Sequence, residues 1–263
     1  MESDAKIVFS RHGDKDLIHK DIKIIPGSRE DKLFVTITPE SAKELEQKGK
    51  EMFSDASYGN VLLVTSDFLR AQHSAWYFIN GVRQNISNEV WCPSELLGVP
   101  NPRTDWSRKD MWNADLPVEE RIINLFENFY FPERDKEYSA QMANMSSCYV
   151  GSIVNSLEFL MAHKNKHEDI LAHFTHSPNI DLFMAHILGG CLHVNEEHKV
   201  VEVDRTNFPG VVESGEMFTG NIYGLKTGNP VMQITMKGVE KEICYRDLKK
   251  LESQLEKHSV MYK

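Results

Sequence analysis

Apolar residues in this chain are gathered into short dense runs, each ending abruptly in small or polar residues. Ile7-Val8-Phe9 runs into Ser10-Arg11-His12-Gly13, and Val61-Leu62-Leu63-Val64 runs into Thr65-Ser66. Ile170-Leu171-Ala172-His173-Phe174 ends in the same way, at Thr175-His176-Ser177. A run without alternation is the pattern of a strand buried on both faces, as in the middle of a parallel sheet. Between the runs the spacing turns helical. Thr38-Pro39-Glu40 has the form of a helix start: Thr38 as N-cap, Pro39 at the first helical position, Glu40 at the positive end of the dipole. That helix is expected to run through Ala42, Leu45 and Lys48 towards Phe53, and a second to run from Asp67 to Ile79. The order to about residue 80 is therefore β-α-β-α, which predicts right-handed crossovers and a parallel sheet. Asp14 to Lys32, mixed in charge and broken by Pro26-Gly27, is expected to be a loop.

Further along, Val90 to Leu97 is expected to form a third short strand. A long helix is expected from about Ala140 to His163, and another from Asn179, just after Pro178. Glu216–Tyr223 and Val231–Tyr245 are expected as strands, the latter a hairpin around Lys237-Gly238, and Tyr245–Lys257 as a closing amphipathic helix. The segment 98–140 differs in texture. Pro100, Pro102, Pro117 and Pro132 punctuate a stretch carrying Trp106, Trp112, Phe126, Phe129, Tyr130 and Phe131. It reads as an insertion with one helix, Val118 to Phe129, that caps the active edge; the alternative is that these aromatics complete the core. The expectation is one domain over 1–263, of α/β class: a three-layer α/β/α sandwich with a mainly parallel central sheet and this helical and loop insertion.

Composition narrows the picture. A hydrophobic content of 41% beside 26% charged residues is ordinary for a globular protein. The net charge of -9 argues against a nucleic-acid-binding surface. No run approaches the length of a membrane span, and Met1-Glu2-Ser3-Asp4 is too acidic to open a signal peptide, so a cytoplasmic protein away from the membrane is expected. Cys92, Cys148, Cys191 and Cys244 are scattered without a CxxC pair, and read as reduced and mostly buried.

The strand ends carry the candidate chemistry. In a parallel sheet the carboxyl ends lie along one edge, where ligands bind in open α/β folds. Arg11 and His12, then Arg70, then His176 can converge there although they are far apart in sequence. Gly13 is expected to let the chain turn sharply and to admit a ligand close to the backbone. Two guanidiniums can clamp a phosphoryl group through charge-assisted bidentate bonds. A neutral imidazole between them can attack phosphorus in line, while the second His holds an oxygen as charge builds. The cations supply the electrostatics, so no metal or other cofactor is called for. His173 and His176 are separated by an odd number along a strand, face opposite sides and so do not share a metal. His73, on the second helix, reads as a surface or packing residue.

Arg11-His12-Gly13, Ser66-Asp67-Phe68-Leu69-Arg70-Ala71-Gln72 and Thr175-His176-Ser177 together resemble the motifs of the histidine phosphatase superfamily, the phosphoglycerate-mutase-like fold. Ile37-Thr38-Pro39-Glu40-Ser41-Ala42 resembles the stretch between that family's first two motifs. The likeness covers roughly residues 5 to 80 and 168 to 190. It implies a phosphohistidine intermediate with His12 as nucleophile, and Arg11, Arg70 and His176 as the phosphate pocket. Three departures stand out. Family mutases have a Ser and an Asn soon after the Arg-His-Gly, where this chain has Asp14-Lys15-Asp16, which counts against a mutase. The phytase and acid-phosphatase branch has a further Arg where Lys15 stands, so Lys15 is a candidate phosphate ligand or a solvated charge. That branch also has an Asp after its second His, where Ser177 stands. The proton donor must then come from elsewhere. Glu95 falls where the mutase-like branch places its acid; Asp14, Asp105 and Asp181 are the alternatives.

The expectation is a metal-independent phosphatase acting on a phosphate monoester. A non-catalytic phospho-ligand binding or regulatory module is the alternative from another class, and a phosphomutase the less favoured one.

Overall fold

The computed structural model describes residues 3–18, 24, 29–94, 97, 120, 136–163, 166–177, 179–188, 193–194, 200–202 and 212–261. The expected insertion at 98–140, with its helix at Val118–Phe129, therefore lies almost entirely outside the described residues, as do Glu95, Asp105 and Cys191.

Among the described residues seven strands form the main sheet, while β2 (Lys15–Leu17) with β3 (Val35–Ile37), and β7 (His193–Val194) with β8 (Val200–Glu202), form two separate pairs. The seven are β1 (Ala5–Arg11), β4 (Tyr58–Ser66), β5 (Ile86–Ser94), β6 (Asp169–Thr175), β9 (Met217–Tyr223), β10 (Val231–Met236) and β11 (Val239–Cys244). Their order across the sheet is β11-β10-β9-β1-β6-β4-β5. The pairs β1–β6, β6–β4 and β4–β5 are parallel. The pairs β1–β9, β9–β10 and β10–β11 are antiparallel. The sheet is thus a parallel core extended on one side by a meander. Antiparallel neighbours need only tight turns, and Lys237-Gly238, both at positive φ, supply the one between β10 and β11.

Helices cover both faces. On one lie α2 (Pro39–Phe53) and α3 (Leu69–Val82), whose Leu45, Phe78, Ile79 and Val82 pack with Val8, Val61, Leu63 and Phe174. On the other lie α4 (Lys136–Ala162), α5 (Asn179–Leu188) and α6 (Tyr245–Met261), packed over Ile7, Phe9, Leu62 and Leu171. Neighbouring residues of one strand thus enter opposite cores, which is why these strands are apolar throughout. The three-layer sandwich is the one expected. Among the described residues no helix is long and apolar enough to cross a membrane.

Two expectations need correction. The stretch after Gly13 is not all loop: β2 (Lys15–Leu17) pairs with β3 (Val35–Ile37), and α1 (Arg29–Phe34) leads into that pair. The cysteines are not mostly buried either. Cys92 is exposed, because β5 is the sheet's edge strand, and Cys148 and Cys244 are half-buried. The helix start at Thr38 is as expected, with the Thr38 hydroxyl accepting from the Ser41 amide at 3.2 Å.

His173 of β6 is fully buried between the rings of Phe9 and Tyr149, and neither ring nitrogen has a partner among the described residues. Burial pulls its pKa down to about 3. The unfolded chain therefore takes up a proton below the ordinary value of 6.5 that the folded chain refuses. Stability is full above that value and falls as pH drops from it towards about 3. Of the stability lost between about pH 7 and about pH 5, His173 should account for about 2 kcal/mol. Urea unfolding of His173→Phe at both pH values is expected to show that part of the dependence gone; an unchanged slope would sink the assignment.

Candidate active site

Strand register builds the site. Arg11 of β1 lies opposite Thr175 of β6, so the next residues outward, His12 and His176, come side by side, with ring centroids 4.9 Å apart. Thr65 of β4 lies opposite Phe174, which brings Ser66 level with the end of β6. The Ser66 hydroxyl and His176 Nε2 then share a hydrogen bond of 2.6 Å. His176 Nδ1 is buried with no partner among the described residues. Both histidines are almost completely buried, and the His12 amide donates to the Thr175 carbonyl.

The tautomer of His12 follows from one contact. Its Nδ1 lies 2.7 Å from the Gly13 carbonyl oxygen, which can only accept, so Nδ1 carries the proton. Nε2 is then left with a lone pair and no partner among the described residues. Burial, then the Arg70 guanidinium, and to lesser extent Arg11 and Lys15, hold His12 well below the ordinary histidine range. His176 is lowered as well, by burial first and then by His12 and Arg70. Both rings are therefore neutral near neutral pH.

Gly13 does not serve the sharp turn expected of it. Its backbone is not in the left-handed region, so no special turn requires a glycine. Space does: a Cβ there would stand 2.8 Å from Ser41 Cβ in the first turn of α2. That close approach lets the Ser41 hydroxyl accept from the Asp14 amide, while the Ser74 hydroxyl accepts from the Gly13 amide, both at 3.0 Å. The backbone beneath His12 is thereby fixed to α2 and α3.

The two arginines are tethered alike. Arg11 Nη1 donates to the Val212 carbonyl at 2.8 Å, and the Val212 amide donates to Asp181 Oδ1 at 2.8 Å. Gly215, in the left-handed region, donates its amide to the carbonyls of Arg11 and His12, and Lys48 Nζ donates to the Gly215 carbonyl. Asp181 is thus a buried anchor for the loop that cradles Arg11. Burial raises its carboxyl, against opposing bonds from Ser177 and Val212. Arg70 Nη1 donates to Asp31 Oδ1 at 2.7 Å, in a pair with both side chains buried. In both arginines Nε is buried and lacks a partner among the described residues. Buried donors are rarely left without an acceptor. Together with His176 Nδ1 and His12 Nε2, they outline a place for an anion. Lys15 of β2 keeps contact with solvent, yet its charge acts on both histidines. Its own amine is lowered, first by burial and then by Arg70.

The remaining candidates divide. Asp14 is exposed, with its carbonyl accepting from the Thr38 amide. Glu95 and Asp105 lie outside the described residues, although Leu97 is pinned to the site's edge by Asn179 Nδ2 and the Thr175 hydroxyl. His73 meets Thr36 at 2.5 Å, partly buried. Sequence reading missed Asp31, Phe68 and the Val212–Glu216 loop. A lone acid in a charged stretch carries no local mark, and the loop acts through its backbone.

No protein-family model matches the sequence, and neither does any curated protein. Solved structures do match. A mycobacterial hydrolase, 12% identical, aligns over 90% of this chain and 99% of its own with a TM-score of 0.52. The chain shares the fold of that hydrolase. Mycobacterial glucosyl-3-phosphoglycerate phosphatase, 14% identical, aligns over 88% of this chain and 96% of its own at a TM-score of 0.49. A phytase from D. castellii, 14% identical, covers 96% of this chain and 79% of its own at a TM-score of 0.43. At 12% identity the likeness to the hydrolase is one of fold.

Proposed function

We propose that this protein is a phosphatase that hydrolyses a phosphate monoester through a phosphohistidine on His12. The observation that carries this reading is the neutral His12 with its tautomer set by the Gly13 carbonyl, so that the reactive lone pair is on Nε2. In the first step Nε2 bonds to phosphorus as the bond to the leaving oxygen breaks, and a general acid protonates that oxygen. Water then attacks the phosphohistidine, releasing inorganic phosphate and restoring His12. The Nε edges of Arg11 and Arg70 meet the phosphoryl oxygens, Lys15 adds a point charge, and His176 Nδ1 steadies a further oxygen. Glu95 is proposed as the acid. Asp181 is better suited to its anchoring place, since one oxygen is bound by Val212 and the residue is buried.

Phosphate release from an aryl phosphate tests the reading. Turnover is expected to persist with EDTA in excess, because the cationic charge comes from side chains. A folded protein that releases no phosphate between about pH 5 and about pH 8, or that loses turnover on chelation, would overturn it.

A further inference from the structure

The contact between α1 and the head of α3 has a geometry that bears on catalysis. A guanidinium can turn about its own plane, and the plane itself can tilt; both must be fixed for its N–H groups to meet a phosphoryl oxygen. The Phe68 ring fixes the tilt of Arg70, with the guanidinium carbon 4.4 Å from the ring centroid. Phe68 is held in turn by an edge contact with His176 at 4.8 Å. Asp31 fixes the rotation. Arg70 Nη1 donates to Asp31 Oδ1 at 2.7 Å and to the Asp31 carbonyl at 3.2 Å, and Nη2 reaches Oδ2 at 3.4 Å. The bonds to Asp31 all come from the terminal nitrogens, the shortest from Nη1, while Nε is buried with no partner among the described residues. Next in sequence, Lys32 pairs with Asp67 at 2.5 Å, so a second, oppositely arranged ion pair ties α1 to the residues just before α3.

We propose that Asp31 is a positioning residue for phosphoryl transfer: it grips Arg70 by Nη1 and aims the Nε–Nη2 edge at the phosphoryl group beside His12. The inference rests on the phosphatase reading above and adds to it a residue outside the three motifs. It also fixes a sign. A carboxylate beside Arg70 weakens the pocket's pull on any anion, so Asp31 opposes ground-state binding. Its benefit lies in orientation, which matters most when charge on the equatorial oxygens and bond lengths change together.

The test compares two anions on the full chain. Inorganic phosphate reports ground-state attraction; vanadate, which takes up a five-coordinate geometry, reports fit to the transition state. Asp31→Asn is expected to bind phosphate at least as tightly as the wild type and vanadate about tenfold more weakly, with kcat reduced about tenfold and KM unchanged or lower. The ratio of the two affinities does not depend on the fraction of folded protein, so a merely structural role would leave it alone. Should Asp31→Asn fail to fold, Asp31→Glu keeps the charge but displaces the grip, and is expected to lose vanadate affinity with phosphate affinity unchanged. An unchanged ratio in a variant whose wild type hydrolyses phosphate monoesters would overturn the role of Asp31 alone. A wild type that binds neither anion would overturn the phosphatase reading and the inference together.

Discussion

Replacing His12 with alanine is expected to lower phosphate release by on the order of 10³-fold or more, because no neighbouring group can take over as nucleophile. His176 has its Nε2 engaged by Ser66. The loss should come without unfolding, since the backbone bond from the residue 12 amide to the Thr175 carbonyl does not need the side chain. Acid-labile, base-stable phosphate on the wild-type protein after rapid quench, absent from His12→Ala, is the accompanying expectation. The pH profile supplies the sign. A nucleophile must be unprotonated, and burial with Arg70 nearby lowers His12 well below 6.5. Activity should therefore hold as pH falls through that value and decline only at distinctly lower pH. A decline centred on the ordinary histidine range would show that His12 is not held neutral as the geometry requires.

Arg70→Ala carries the second large effect, and it is double. Losing the guanidinium removes half of the anion clamp, so phosphate binding measured by calorimetry is expected to vanish. It also takes the guanidinium away from the Asp31 carboxylate, whose side chain is only 4% exposed. Breaking a buried ion pair by removing one partner costs about 3–5 kcal/mol. Adding Asp31→Asn is then expected to restore most of the stability in a denaturant titration while restoring none of the binding. If the double variant is no more stable than Arg70→Ala, the buried pair is not what holds α1 on α3. If it regains phosphate binding, Arg70 is not in the clamp.

How much of this could be seen in the sequence depends on how local the cause is. The dense runs ending at Ser10, Ser66 and Thr175 are buried on both faces, and that burial leaves an unmistakable pattern. Thr38-Pro39 announces α2 because capping and the fixed proline φ act within one turn. The Arg11-His12-Gly13 stretch, Arg70 and His176 were visible as chemistry because each sits where an apolar run stops. Less came through between residues 14 and 34. There β2 exists only because β3 pairs with it, and α1 of six residues is too short to hold without its contacts on α3. The exposure of Cys92 depends on β5 lying at the edge, which strand order decides and residue type does not.

The amino-acid sequence by itself therefore determined the elements of the layered core, the layered class and the four side chains that meet at one sheet edge. The tertiary structure alone decided how they meet. Register set His12 beside His176, the Gly13 carbonyl chose the tautomer, Asp31 oriented the Arg70 guanidinium, and Asp181 anchored the loop whose Val212 carbonyl holds Arg11. Periodicity and capping are set by neighbours along the chain, whereas a hydrogen bond between residues far apart has a direction only once the sheet has closed.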